Sequence, residues 1–126
     1  MGSDSTSFAL QGSVWMTVGD EKFGGPGRVG MLAAIAETGS ISQAAKALGV
    51  SYKGAWDAID AMNNLAGEAL VERVAGGKGG GGTRLTARGE QLVRNFRAIE
   101  QIHKQFVDQL NRPAGNLSAD LSLISR

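Results

Sequence analysis

Residues 39–59 read GSISQAAKALGVSYKGAWDAI, and their pattern predicts two helices joined by a tight turn. Ser40 or Ser42 can cap a short first helix, and Gly49 suits the left-handed residue that ends such a helix. Ser51 is a good N-cap for a longer second helix. The apolar residues of this second helix recur at helical spacing, which predicts one buried stripe of Ala55, Ile59, Met62 and Ala66.

One strand and one helix are predicted before this segment. Residues 9–18 mix Val, Leu, Trp and Met with polar residues, which is typical of a β-strand. The glycines and the proline of residues 24–27 then break regular structure. Because residues 29–37 carry apolar side chains at helical spacing, we expect a first helix that ends at Gly39.

Two short strands and a long helix are predicted after the second helix. The strand candidates are residues 69–74 and 83–86, and the glycine-rich residues between them predict a hairpin with a long flexible tip. Thr86 can cap the final helix. Mostly apolar residues recur along that helix at steps of four and three, a heptad seam that favours a homodimer. The seam consists of Leu92, Phe96, Ile99, His103, Phe106 and Leu110.

Composition limits the classes of function that the chain can have. The 126 residues are 42% hydrophobic and 20% charged, which suits one folded domain. The chain has no cysteine and one histidine, so disulfide frameworks, thiolate zinc sites and cysteine nucleophiles are excluded. With no convergent carboxylates either, we do not expect an enzyme. No run approaches the about 20 apolar residues that cross a bilayer, and no signal peptide is evident, so we expect a cytoplasmic location without membrane contact.

The net charge of +1 is distributed unevenly along the chain. Residues 73–97 contain six basic side chains against Glu90 alone. A polyanion would therefore find one region to bind. A solvated helix face beside a basic loop would have the same charges, so charge alone does not decide between the two interpretations.

The order of the elements, with a glycine turn between two helices and a hairpin with a basic tip after them, is that of a winged helix-turn-helix. We therefore expect a mainly α fold with a small β component, an N-terminal strand and a long C-terminal dimerisation helix. The second helix would enter the DNA major groove, and the start of the preceding helix would hold a phosphate. The candidate DNA contacts on these helices are Ser42, Gln43, Ser51, Tyr52, Lys53, Trp56 and Asp57. In the hairpin, the glycines would permit close approach to the DNA backbone or minor groove, and Arg73, Lys78 and Arg84 would supply the charge.

Some of these residues have a second interpretation. Trp56 can contact DNA or cover the core between helices. His103 lies on the apolar seam, and no second His or Cys exists to complete a metal site with it. Asp57 and Asp60 are expected to be solvated or to tune repulsion from DNA. The glycine-rich stretch 76–82 lacks the spacing of a nucleotide-binding P-loop.

Parts of the chain resemble a known family of regulators. The residues that carry the resemblance are 39–46, 50–59, 62–63, 70–73 and the glycine-rich stretch 76–82. They closely resemble the N-terminal DNA-binding domain of the ModE family of molybdate-responsive transcriptional regulators. The first part is more distantly similar to the LysR-type winged helix. The resemblance covers residues 29–110.

This resemblance implies a homodimer joined through the N-terminal strand region, where we place Trp15, and through the long last helix. It also implies that two winged helices bind a palindromic operator in molybdate-transport and related promoters, with repression as the expected effect. In the family, molybdate or tungstate binds to C-terminal sensor domains. We expect no such sensor domain in this chain, which would then be either a cut piece of a regulator or a regulator that lost its effector half. We therefore expect no cofactor in it.

We therefore expect four segments, which are an N-terminal arm with a strand (1–24), the winged helix-turn-helix (25–86), the dimerisation helix (87–112) and a flexible tail (113–126). The expected partners are double-stranded DNA and a second copy of the chain. The sequence does not identify a further partner such as RNA polymerase or a separate effector. The alternative function is a protein-interaction module that uses the heptad helix without specific DNA binding.

Overall fold

The computed structural model describes residues 8–77 and 80–112, with side chains for residues 8–75 and 82–112. The elements are β1 (Met16–Val18), β2 (Glu21–Gly24), α1 (Pro26–Thr38), α2 (Ile41–Leu48), α3 (Tyr52–Ala66), β3 (Val71–Gly77), β4 (Gly80–Leu85) and α4 (Ala87–Leu110). The predicted fold, mainly helical with a small β component, is confirmed. The expected tail over 113–126 lies outside the described residues.

The N-terminal region forms a hairpin where the sequence predicted a single strand over residues 9–18. β1 pairs with β2 in antiparallel orientation, and Gly19 adopts a φ of 59° in the turn between them. Residues 8–15 have no regular secondary structure and reach the end of α4. There the Asn111 side chain accepts a hydrogen bond from the Leu10 N–H (2.8 Å) and donates one to the Leu10 carbonyl (3.0 Å). A contact between residues so far apart in sequence leaves no local pattern, which explains the wrong strand boundaries.

The helix boundaries follow from side-chain caps and left-handed glycines. Each N-cap hydroxyl accepts a hydrogen bond from the backbone N–H three residues later, in the caps Ser40 of α2, Ser51 of α3 and Thr86 of α4. The first three helices end at residues with positive φ, which are Gly39, Gly49 and Gly67. α1 starts at Pro26, three residues before its predicted start, because a proline in the first turn needs no N–H partner.

The core lies between the four helices and the base of the second hairpin. Leu32 and Ile35 of α1 are fully buried at its centre. The predicted stripe of α3 is confirmed at Ala55, Ile59 and Met62, which are buried, whereas Ala66 is only partly buried against them. Among the described residues, none of the helices contains an apolar stretch that could span a lipid bilayer.

Leu70 joins α3, β3 and α4. This residue is fully buried, its N–H donates to the Asn63 side-chain oxygen (2.9 Å), and its carbonyl accepts from the Thr86 N–H (2.9 Å). The base of the second hairpin is thus held by hydrogen bonds to the helices on both sides of it.

We call the β3–β4 hairpin, residues 71–85, the wing. Its antiparallel register runs from Val71 opposite Leu85 to Val74 opposite Gly82, with an irregularity farther out. Both strands continue into the glycine run, past the predicted boundaries at 74 and 83. The predicted long tip is therefore shorter, although the tip residues 78–79 lie outside the described part of the chain.

α4 leaves the core partway along its length. Val93 and Phe96 pack in the core of the single chain, and Phe96 is only 2% exposed. This burial corrects the expectation that Phe96 belongs to a seam facing a second copy. The following apolar residues are exposed instead, with 67% exposure at Ile102 and 59% at Phe106. A heptad pattern does not show where the core ends along a helix, because both halves carry apolar residues at the same spacing.

Candidate nucleic-acid interface

The start of α2, the outer face of α3 and the wing together surround a groove of about 440 Å³. Four of the predicted DNA contacts line this groove, and they are Ser42, Tyr52, Trp56 and Arg73. Asn63 and Thr83 line it as well and were not predicted. The helical pattern placed Asn63 off the buried stripe of α3, but the packing of α3 against the wing, which brings both residues to the groove, leaves no signal in the sequence.

The start of α2 is built to present polar groups outward. Ser40 caps the helix by accepting the Gln43 N–H at 3.1 Å, and the side chains of Ser42 and Gln43 are exposed beside this cap. The N-terminus of a helix carries partial positive charge and free N–H groups, which favour an anion such as a phosphate. Ser42 lies at the groove, and Gln43 is on the same first turn.

Two aromatic side chains occupy the outer face of α3. Tyr52 is 57% exposed and Trp56 is 36% exposed, and their rings meet edge to face with centroids 6.4 Å apart. This position favours the surface interpretation of Trp56, because the core stripe of α3 lies on the opposite side at Ala55 and Ile59. The pair gives the groove an apolar wall at the start of the second helix.

Charged residues next to the aromatic pair are coupled to each other. The Lys53 Nζ lies 2.9 Å from the Asp57 Oδ2, in an exposed pair one helical turn apart. The hydrogen bond to Asp57 raises the pKa of Lys53, and the charge attraction between the two groups adds to the effect. Ser51 precedes them as the cap of α3, and its hydroxyl accepts the Gly54 N–H at 2.9 Å. The predicted contacts Ser51, Lys53 and Asp57 thus share the exposed first turns of α3.

Ion pairs neutralise part of the positive charge of the basic segment, residues 73–97. Arg84 pairs with Glu72 across the wing (2.8 Å), and Arg88 and Arg97 pair with carboxylates elsewhere on the surface. Arg73 takes part in none of the ion pairs among the described residues, and it lines the groove. Arg73 is therefore the wing cation that is best placed for an anion, whereas Lys78 lies outside the described residues.

The residues predicted for a dimer interface form two separate groups. Trp15 is 48% exposed, covers Gly25 and has the Lys22 Nζ 5.3 Å from its ring centroid. On α4, Ile99 and Phe106 are exposed with Ile102, and together they line a shallow apolar pocket with His103. Three other seam residues, Leu92, His103 and Leu110, are half-buried, and Phe96 is buried in the core.

No metal site is present in residues 8–77 and 80–112, where no three His, Cys, Asp or Glu side chains lie close enough to hold an ion. The polar side chains that line the groove are instead hydroxyls, one amide and a guanidinium beside the aromatic pair, together with the carboxylate of Glu72, which pairs with Arg84. These groups suit a phosphate backbone and base edges.

A helix-turn-helix with an exposed second helix, followed by a two-stranded wing beside it, defines the winged helix-turn-helix class of domains. Residues 28–90 match the model of the bacterial regulatory helix-turn-helix proteins of the lysR family. The chain belongs to this family.

Comparison with known proteins gives the same class. The chain is 48% identical over 104 residues to the transcriptional regulator ModE of Yersinia pestis, covering 82% of this chain and 40% of that protein. It is 54% identical over 84 residues to the molybdenum transport protein ModE of Azotobacter vinelandii, covering 67% of this chain and 31% of that protein. The chain thus spans less than half the length of these relatives. The resemblance to ModE predicted from the sequence is confirmed.

A solved structure supports the fold. The DNA-binding domain of CbnR, in a crystal structure with DNA, is 27% identical to this chain with a TM-score of 0.53. The match covers 64% of this chain and 87% of that domain.

Proposed function

We propose that this chain binds double-stranded DNA in a sequence-specific manner and regulates genes of molybdenum transport and metabolism. The observation that carries the proposal is the convergence of the start of α2, the outer face of α3 and Arg73 of the wing on one groove. The similarity to ModE regulators and to a domain solved with DNA supports the same conclusion.

The proposed binding mode assigns a different task to each element. The first turns of α3 enter the major groove, where Tyr52, Lys53 and Trp56 contact base edges and phosphates. Ser42 and Gln43 at the start of α2 hold a phosphate and fix the position of the domain on the duplex. Arg73, with Lys78 and Arg84 of the wing, contacts the DNA backbone.

We further propose that the chain binds a palindromic operator as a homodimer and represses transcription in the cytoplasm. The exposed apolar residues of α4 beyond Phe96 support a second copy as partner, because a helix face of this kind is stabilised when another helix covers it. Molybdate or tungstate would bind to a sensor domain and not to the groove of this domain.

The experiment that tests the function is a selection of random DNA duplexes by the purified chain at moderate salt, followed by sequencing of the retained pool. We expect an enriched palindrome whose half-site spacing reflects the dimer. Affinity for this site should fall by orders of magnitude as salt rises, because several phosphate contacts release counterions. A folded chain that enriches no sequence and binds DNA without salt dependence would favour the protein-interaction module instead.

A further inference from the structure

The wing touches the rest of the domain at a second point, two residues out from its base pair of Val71 and Leu85. The Thr83 N–H donates a hydrogen bond of 3.0 Å to the carbonyl of Gly39, at the corner between α1 and α2. The neighbouring Gly82 lies so close to the same carbonyl that a Cβ at residue 82 would be 2.7 Å from the Gly39 oxygen. We call this contact of residues 82–83 with Gly39 the wing latch.

The space at residue 82, and not its backbone conformation, requires glycine there. Gly82 has no left-handed φ, so an L-residue can adopt its backbone conformation. A Cβ would instead press on a backbone carbonyl, which cannot rotate away as a flexible side chain does. Gly39 itself is fixed, because its N–H donates to the Ile35 carbonyl at 2.8 Å as the left-handed end of α1. Either the wing or the corner between the helices must move to accept a side chain.

The latched corner is also the start of the proposed phosphate contact. Ser40, next to Gly39, is the N-cap of α2, and Ser42 follows it at the groove. On the wing side, Thr83 lies opposite Arg73 in the register of the two strands. The latch therefore joins the two elements that we propose to contact DNA on either side of the groove.

We propose that Gly82 is a positioning residue that holds the wing at a fixed distance from the helix-turn-helix, so that Arg73 and the start of α2 contact the same DNA duplex. This inference rests on the DNA-binding function proposed above. Without the latch, the hydrogen bonds among the described residues that tie the wing to the helices are those at its base around Leu70, and the wing from Arg73 outward pivots away from the groove. Arg73 then loses its contact with the DNA backbone while the helices keep theirs.

The test compares Gly82→Ala with Gly27→Ala, a control in α1 where a Cβ meets nothing within 4 Å. We expect Gly82→Ala to weaken binding to the selected operator about tenfold and to reduce the slope of log affinity against log salt by about 0.9, as when one phosphate contact is lost. Gly27→Ala should bind as the wild type does. Thermal unfolding of each variant checks that the chain is folded before its binding is measured.

A double-mutant cycle separates positioning from a general loss of structure. Arg73→Ala should weaken binding in the wild-type chain and have little further effect in Gly82→Ala, because the wing cation is already displaced. Equal effects of Arg73→Ala in both backgrounds, or an unchanged salt slope in Gly82→Ala, would overturn the proposal. If the wild type itself selects no operator, the proposed function fails, and that result is distinct from either of these.

A second variant covers the case in which Gly82→Ala does not fold. Thr83→Pro leaves residue 82 a glycine but replaces the N–H donor of the latch with a ring carbon that faces the Gly39 carbonyl, and this N–H lies outside the β3–β4 ladder. Thr83→Pro should reduce the slope of log affinity against log salt as Gly82→Ala does. In the wild type, hydrogen exchange of the Thr83 amide should be slow, and exchange at the rate of a free amide would show that the latch is absent.

Discussion

Lys53 and Asp57 form an ion pair on the surface that is proposed to face DNA. Each side chain is mostly exposed, so the pair contributes little to stability, but it directs the Lys53 ammonium toward a carboxylate and away from other anions. Replacing Asp57 with Asn should free Lys53 for a phosphate. We expect binding to non-specific duplex to tighten by a factor on the order of three, with a salt slope steeper by up to about 0.9.

The matched control for this change lies on α4. Lys104 and Asp108 form a pair of the same spacing and the same 2.9 Å distance, away from the groove, so Asp108→Asn should leave the salt slope unchanged. An unchanged slope in Asp57→Asn as well would mean that Lys53 does not reach a phosphate.

Because the pKa of Lys53 is raised, its charge is present below the ordinary lysine value and lost only as pH rises through the raised pKa. Binding should therefore not change in the neutral range on account of Lys53.

The packing of α4 requires a residue without a side chain at Gly89. A Cβ at this buried residue of α4 would overlap the carbonyl of Leu70, the joint between α3, the wing and α4. We expect Gly89→Ala to lower the free energy of unfolding by about 1–3 kcal/mol through overpacking, as measured by urea denaturation. Gly30→Ala is the control, because it meets nothing within 4 Å in α1 and should raise stability by about 0.5–1 kcal/mol. If Gly89→Ala left the free energy of unfolding unchanged, the Leu70 carbonyl would be free to move away from the added Cβ.

At the level of elements, the capping residues made most of the helices predictable. Ser51, Thr86 and the glycines at helix ends act through hydrogen bonds within four residues of themselves, so the local sequence contains the whole signal. The path of residues 8–15 depends instead on contacts with α4, and β2 packs against α1 and α3. The burial of Phe96 likewise depends on which part of α4 the core covers. The spacing of the apolar residues gives no information on this.

Ser51 combines a structural task with a proposed contact, and two substitutions separate them. Ser51→Ala removes the cap of α3 and should cost about 1 kcal/mol of stability. Ser51→Asp keeps a capping oxygen at the helix N-terminus and should retain stability, yet its negative charge should weaken DNA binding strongly. Thermal unfolding and binding to the selected operator measure the two effects. If Ser51→Asp bound DNA as well as the wild type, the start of α3 would not face the phosphates.

At the level of the whole molecule, the sequence predicted four of the residues that line the groove but not the way the elements around it are held together. The turn between α2 and α3 and the basic wing are both visible in the sequence. The wing latch and the ion pairs that offset Arg84 and Arg97 join residues from distant parts of the chain. The sequence therefore overstated the free charge of the basic segment and missed Thr83.

The exposed half of α4 leads to a prediction about assembly. Ile102 and Phe106 lie on the part of α4 that no described segment covers fully, and they should be buried in a homodimer. Phe106→Asp should therefore convert the dimer to a monomer in light scattering, with the melting transition of the single domain preserved. Gln105→Asp adds the same charge at the neighbouring exposed residue and should leave the dimer intact. Phe96→Asp should unfold the chain instead, because Phe96 lies in the core. A dimer that survives Phe106→Asp would place the contact between copies elsewhere, and the exposed Trp15 would then be the next residue to substitute.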